Sequence, residues 1–193
     1  NGNQNEFMKL MRLLSEYNEQ NKDAKIEWSS FFIFRPERQM TERDWELISH
    51  SGTFLIVGVE SLVEDVRMHM RKKFTNKDLD YCLRMCQKFN ISVGMMLIVG
   101  YVTDNEDTNL ETIQWFEKNK KYAGNPIKYV TFGGGLGILP GTEIFRRRDE
   151  FNIILNDVNF DHQWQTKDGT NTHDIRMRWM REQQSACIKA GFN

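Results

Sequence analysis

At 193 residues and a formal net charge of −1, the chain is long enough for one domain with a sizeable core and gives no electrostatic case for nucleic acid. Thirteen Phe and five Trp argue against disorder over most of its length. No apolar run approaches the roughly 18 residues of a membrane span, no signal peptide is visible, and three cysteines, an odd number, fit a reducing, cytoplasmic setting better than a disulfide framework.

Phe7, Leu10, Met11, Leu14 and Tyr17 fall at helical spacing, which predicts an amphipathic helix over 5–18. Ile26 to Phe34 is dense in β-formers and reads as a strand, ended by Arg35-Pro36 because proline cannot continue a ladder. Thr41-Glu42-Arg43-Asp44 is a capping-box signature, and Trp45 and Ile48 give the helix that follows a buried face. Residues 53–59 form a buried strand that ends near Gly58 and delivers Glu60 at its carboxyl end. Ser61 to Glu64 reads as a second capping box and predicts a helix over about 62–72. Thr75 to Asp78 opens another, with Leu79, Cys82, Leu83, Cys86 and Phe89 as its stripe.

Ile91 to Tyr101 is the next strand, and Thr108 to Glu111 opens a helix carrying Leu110, Ile113 and Phe116. Gly124-Asn125-Pro126 breaks it, Ile127 to Phe132 is a strand, and Gly133-Gly134-Gly135-Leu136-Gly137 follows. A helix is expected near Thr142, a polar loop over 161–172, and a last helix over 173–190 with Ile175, Trp179 and Ala186 on one face. Alternation of strands and helices implies an α/β fold with a parallel sheet and right-handed crossovers. A closed barrel needs eight such units in about 250 residues. Four units predict a partial (βα) barrel over 1–150, with a loop and helix extension over 151–193. The chain starts at Asn1, not Met, which reads as a fragment or a processed product.

Certain pieces resemble one family. Gly58-Val59-Glu60-Ser61 with Met70-Arg71-Lys72 is similar to the signature after the fourth strand of the radical S-adenosylmethionine enzymes, in the branch that includes cobalamin-associated members. Leu97 to Tyr101 with Asn105 to Thr108 resembles the region of that family's fifth strand, and Leu139-Pro140-Gly141-Thr142-Glu143-Ile144-Phe145 the element after its sixth. Asn1-Gly2-Asn3 is similar to the segment after the second strand. The resemblance implies a fragment of a TIM-like barrel that binds S-adenosylmethionine and, with a [4Fe-4S] cluster, generates a 5′-deoxyadenosyl radical in the full-length protein. The family's C-x-x-x-C-x-x-C cluster motif is absent. Cys82 and Cys86 have the first spacing, but Phe89 stands at the third position, and both lie on a helical stripe. The chain alone is therefore expected to retain no cofactor and to be inactive.

The resemblance further implies that Glu60 contacts the nucleoside or amino-acid part of the ligand, that Lys72 pairs with its carboxylate, and that Gly133, Gly134 and Gly135 lie beside the adenine. The bland readings are a carboxylate serving the next helix N-terminus for Glu60, a solvated basic cluster for Lys72, and a turn-rich connector for the glycines. Met95 and Met96 alternate, so one faces the barrel interior, and Met96 stands at a ligand-contact position. Ser61 reads as a helix cap. His50, His69, His162 and His173 show no metal-ligand spacing, no metal site is expected, and no catalytic residue can be assigned. His162, Trp164, Asp168 and His173 are substrate contacts if the late loop covers the barrel mouth.

Two rival readings stand beside the enzyme fragment. One is a binding module for a nucleoside or partner protein, with exposed strand edges open to self-association. The other is an unrelated βα-barrel enzyme that uses Gly133 to Gly137 to hold a phosphorylated small molecule. The substrate is a small molecule of unknown identity in either enzymatic reading.

Overall fold

The computed structural model describes residues 3–156 and 159–193. Asn1 and Gly2, the start of the segment likened to the region after a second strand, lie outside the described residues. The elements follow as α1 (Gln4–Gln20), β1 (Trp28–Phe32), α2 (Glu42–His50), β2 (Thr53–Glu60), α3 (Glu64–His69), α4 (Asn76–Lys88), β3 (Val93–Ile98), α5 (Glu106–Lys118), β4 (Ile127–Gly133), α6 (Glu143–Arg146), β5 (Ile153–Ile154), β6 (Gln165–Thr166) and α7 (His173–Lys189).

The four long strands form one parallel sheet in the order β1-β2-β3-β4, so each successive unit is laid beside the last. That is the arrangement expected of a partial barrel. Along β2, Thr53, Leu55, Val57 and Val59 are buried, whereas Phe54, Ile56, Gly58 and Glu60 are half-buried. The first set packs into the core with Phe32, Trp45, Leu79, Cys82 and Cys86. The second set lies on the face away from the helices, beside Phe31 and Met96, which are 66% and 38% exposed. Met95 is fully buried, so the alternation expected of the two methionines sends Met96 to the open face.

The helix starts follow their caps. Thr41 and Thr75 each accept from the backbone N–H three residues on, and Asp44 and Asp78 return the bond. Asn105 takes the same role for α5, with Thr108 in the third helical position instead of at the opening. The buried face of α5 is Asn109, Thr112 and Phe116, and Leu110 is exposed. Of the expected stripe of Leu110, Ile113 and Phe116, Phe116 is buried as expected, Ile113 is half-buried, and the placing of Leu110 is corrected. The side chain of Asn109 pays for its burial by bonding Glu182 and Gln183 of α7.

The expected helix over 62–72 is only six residues long. Glu60 and Arg71 adopt left-handed backbone, with φ of 68° and 61°, and bracket it. The Ser61–Glu64 capping box does not form. Val63 is the N-cap, Ser61 Oγ accepts from Val63 N at 3.2 Å, and Glu64 Oε2 accepts from the backbone N–H of Asn76. The physical reason is the irregular β2–β3 register between Gly58 and Glu60, which carries the chain two residues further before it can turn helical. The late loop is not wholly irregular either, because β5 and β6 pair antiparallel across it. A second apolar cluster, with Val63, Val66, Tyr101, Ile138, Ile153 and Trp164, sits apart from the main core.

Candidate functional site

The carboxyl ends of the strands are the place where side chains converge in a parallel α/β sheet. Here they align as Gly58 opposite Met96, Glu60 opposite Leu97, Met96 opposite Thr131, and Ile98 opposite Gly133. Glu60 is the terminal residue of β2. Its left-handed backbone is uncommon for a residue with a side chain and costs about 1 kcal/mol or more. The conformation turns the carboxylate back over the strand end, where Lys72 Nζ donates to Glu60 Oε1 at 2.9 Å. Lys72 Nζ also lies 3.3 Å from the carbonyl oxygen of Gly58.

Glycine at 58 leaves room for the carboxylate to lie where it does. A Cβ there would stand 2.6 Å from Glu60 Oε1 and 3.6 Å from Lys72 Nζ. The pair is partly enclosed, with side chains 22% and 30% exposed, so it is less screened than a surface ion pair and can still be reached. Lys72 is not on a helix, contrary to the expectation. It follows the left-handed Arg71, and its backbone N–H bonds the carbonyl of Arg67 at 2.9 Å. That step off the helix is what aims Lys72 at β2.

Arg67 supports the site from behind. It is fully buried and donates to the carbonyl of Ser61 at 2.8 Å, to Asn76 Oδ1 at 2.5 Å and to the carbonyl of Phe74 at 3.4 Å. Its guanidinium lies 5.1 Å from the centroid of the Phe74 ring. Sequence reasoning missed it, because a lone arginine on a short amphipathic helix reads as surface. Phe54 and Tyr129 were missed too. Their rings stack at 5.7 Å across the open face, and a Cβ at Gly94 would fall 2.2 Å from Tyr129 Cζ. An isolated glycine within a strand was the available signal.

The glycine segment is placed two strands away from Glu60. Gly133 ends β4, Gly134 has open space around it, and Gly135 sits at φ 82° with its N–H bonded to the carbonyl of Gly133 at 2.6 Å. That N–H is turned inward and is engaged within the segment. Gly137 is packed under Phe160 and His162. Trp164 is fully buried and donates to the carbonyl of Leu136 at 2.6 Å, so it braces this segment and is not available as a substrate contact.

Asp104, just beyond β3, accepts from the Tyr101 N–H at 2.7 Å and from Thr108 Oγ1 at 3.1 Å. Burial outweighs these bonds and pushes its pKa up to about 6. The folded state therefore holds this proton more tightly than the unfolded chain, whose value is near 3.8. The associated stability is fully present below about pH 4 and is lost as pH rises through about 6, a change of about 3 kcal/mol. Asp104→Asn is expected to flatten that part of the pH profile. Urea midpoints of both proteins between about pH 4 and about pH 7 test this, and an unchanged slope in the variant would assign the effect elsewhere.

The cysteines do not fit an iron–sulfur cluster. Cys82 and Cys86 are fully buried on α4, and Cys82 donates to the carbonyl of Arg35 at 3.4 Å. Burial raises the Cys82 thiol to about 12 and the Cys86 thiol well above its usual value, the reverse of what a thiolate ligand needs. Cys187 lies apart on α7. Among the described residues no group of three or more His, Cys, Asp or Glu is disposed to hold a metal. No helix among them is long and apolar enough to cross a membrane.

No protein-family model matches the chain, and no curated protein matches it. Solved structures do. TsrM from Kitasatospora setae, a radical S-adenosylmethionine methyltransferase, matches in its form with cobalamin and a [4Fe-4S] cluster at a TM-score of 0.58 and 14% identity, over 78% of this chain and 30% of that one. Its form with tryptophan substrate and a S-adenosylmethionine analogue gives a TM-score of 0.61 at 12% identity, over 93% and 40%. OxsB, a cobalamin-dependent S-adenosylmethionine radical enzyme, gives 0.55 at 14%, over 84% and 28%. The chain thus spans well under half the length of these proteins. At such identities the likeness is one of fold: a four-stranded parallel sheet with flanking helices, matching part of a radical S-adenosylmethionine-type barrel.

Proposed function

We propose that these residues are part of the catalytic barrel of a radical S-adenosylmethionine enzyme, and that the carboxyl end of β2 holds the amino-acid or ribose portion of S-adenosylmethionine. The observation that carries this reading is the Glu60–Lys72 pair, folded back over the strand end by a strained backbone and given room by Gly58. Strain of this kind persists where the surroundings enforce it, and it clusters at ligand sites. The two charges suit a ligand that carries both an ammonium and a carboxylate. Lys72 can pair with the carboxylate, and Glu60 can accept from the ammonium or from ribose hydroxyls. Exchange of one ion pair for two keeps both charges satisfied when the ligand arrives. Met96, 38% exposed and opposite Gly58, supplies an apolar wall on the same face.

S-Adenosylmethionine in such enzymes supplies a 5′-deoxyadenosyl radical. In this chain the residues bind and orient only. A [4Fe-4S] cluster would need thiolate ligands other than Cys82, Cys86 and Cys187, which are buried.

The test is calorimetric titration of the chain with S-adenosylmethionine. Saturable binding is expected, weakened about tenfold or more by Glu60→Gln and by Lys72→Ala, in line with the loss of one charge-assisted contact each. Far-UV circular dichroism checks that both variants stay folded. Absence of binding in the folded chain, or binding that both variants leave unchanged, overturns the assignment.

A further inference from the structure

Lys72 is delivered to Glu60 by an unusual turn. α3 ends in a Schellman arrangement, in which the N–H of Arg71 bonds the carbonyl of Met68 and the N–H of Lys72 that of Arg67, both at 2.9 Å. The residue that turns left-handed in such an ending is ordinarily glycine, because a Cβ is strained there. Here it is Arg71, at φ 61°. Four non-glycine residues are left-handed among the described residues. Asn90 and Asn152 are of a type that tolerates this backbone. The other two, Glu60 and Arg71, are long charged side chains on either side of α3, and each is held in an ion pair.

Arg71 is held from the Leu139–Phe145 element. Thr142 caps α6 and sets Glu143 at its first position, where Oε1 accepts from Arg71 Nη2 at 2.7 Å and from Arg147 Nη1 at 2.6 Å. Arg147 is steadied in turn by Glu150, which accepts from its Nε at 3.0 Å. A groove of about 460 Å³ is lined by Met70 and Arg71 from the turn and by Thr142, Glu143 and Ile144 from α6. Met70, packed on the second apolar cluster, fixes the end of α3. The Arg71–Glu143 bond acts one residue further on, at the strained torsion itself. The bland reading is an ordinary exposed ion pair, since the two side chains are 71% and 40% exposed. It leaves unexplained why an arginine stands where glycine would be free of strain.

We infer that Glu143 is a positioning residue: through Arg71 it stabilises the left-handed turn that aims Lys72 at Glu60. The Leu139–Phe145 element thereby sets the geometry of a site built on other strands and helices. The inference rests on the reading of Glu60 and Lys72 as ligand contacts only for its effect on binding. Its effect on the Glu60–Lys72 pair is read with no ligand present, so the two fail separately.

The experiment compares Glu143→Ala, Glu150→Ala and the double variant Glu143→Ala/Arg71→Gly with the parent. The Lys72 Nζ resonance is followed in the free chain, with Glu60→Gln marking its unpaired value, and each protein is then titrated with S-adenosylmethionine. Glu143→Ala is expected to move the Lys72 signal toward the unpaired value and to weaken binding about threefold to fivefold, the range of one exposed ion pair. Glu150→Ala removes the same charge from the other side of Arg147 and is expected to do neither. Glycine turns left-handed without a partner, so Arg71→Gly is expected to rescue Glu143→Ala, returning the Lys72 signal and bringing binding within about 1.5-fold of the parent. Loss of a merely structural contact would not be repaired by removing its partner. A Lys72 signal that Glu143→Ala leaves in place, equal effects of Glu143→Ala and Glu150→Ala, or a double variant no better than Glu143→Ala would overturn the inference. A parent that binds no S-adenosylmethionine while the Lys72 signal moves as expected overturns the reading of Glu60 and upholds the role of Glu143.

Discussion

Arg67→Met is expected to destabilise the protein by about 3 kcal/mol and to lower its melting temperature by roughly 10 °C, on the scale of a chain of this length. Methionine keeps most of the side chain's apolar length, so the loss is not chiefly one of volume. It comes from the acceptors left behind. The carbonyls of Ser61 and Phe74 and the amide oxygen of Asn76 each lose a donor, in a region where Arg67 is fully buried. Each buried acceptor left unpaired costs on the order of 1 kcal/mol or more. Burial has already lowered the Arg67 pKa to about 10, yet the group stays charged at neutral pH, so the cost of enclosing a cation is being met by these bonds and by the Phe74 ring.

Arg67→Lys is not expected to rescue. One ammonium cannot reach three acceptors on three sides of a planar fork. The functional consequence follows from position. Arg67 ties Ser61, the residue after Glu60, to Phe74 and Asn76, just past Lys72. Its loss is expected to weaken S-adenosylmethionine binding even at temperatures where the variant is folded. Thermal unfolding and titration of Arg67→Met and Arg67→Lys check both halves. A melting temperature within about 2 °C of the parent would show that the acceptors find other partners.

Much of the sheet was legible because parallel strands are rich in apolar and β-branched residues, continuous where both faces are at least half-buried and interrupted by polar residues where one face is open. Thr53 to Glu60 is of the first kind, and Ile127 to Gly133, with Lys128 and Thr131 exposed, is of the second. Thr41 and Thr75 were legible because a capping box has a fixed spacing. Ser61 shows the limit of that signal. It has the same spacing to Glu64, but a bulge at the end of β2 shifts the helix start, and bulges are set by pairing between strands distant in sequence. Glu60 could be placed at a strand end from local pattern alone. Its union with Lys72 could not, because Lys72 reaches β2 only after the left-handed turn at Arg71. Buried arginines are the least legible of all. Their partners are backbone carbonyls, which every residue has, so no pair of letters marks them.

Gly100→Ala is expected to cost about 3 kcal/mol or more, and Arg176 is the reason. Gly100 follows β3 at φ 77°, where a side chain is already strained, and a Cβ there would stand 2.1 Å from Arg176 Cδ. Arg176 cannot move aside easily. It is fully buried, its guanidinium lies 3.9 Å from the centroid of the Trp164 ring, and it donates to Asn171 Oδ1 at 2.9 Å and to the carbonyls of His162 and Trp164 at 2.8 and 2.9 Å. Those bonds fasten α7 and the late loop over the end of β3. Arg176→Ala alone is expected to cost about 3–5 kcal/mol, by stripping three acceptors and emptying the space beside Trp164. The two changes should not add. With Arg176 truncated to its Cβ the contacts at 2.1 and 2.2 Å are removed and only the Cβ, 3.1 Å away, is left to give by a few tenths of an ångström, so most of the steric share of the Gly100→Ala cost is relieved and the backbone strain remains. The double variant is therefore expected to be more stable than the sum of the single losses by about 1–3 kcal/mol. Chemical denaturation of the four proteins measures this directly, and strict additivity would mean that Gly100 is required for its backbone alone.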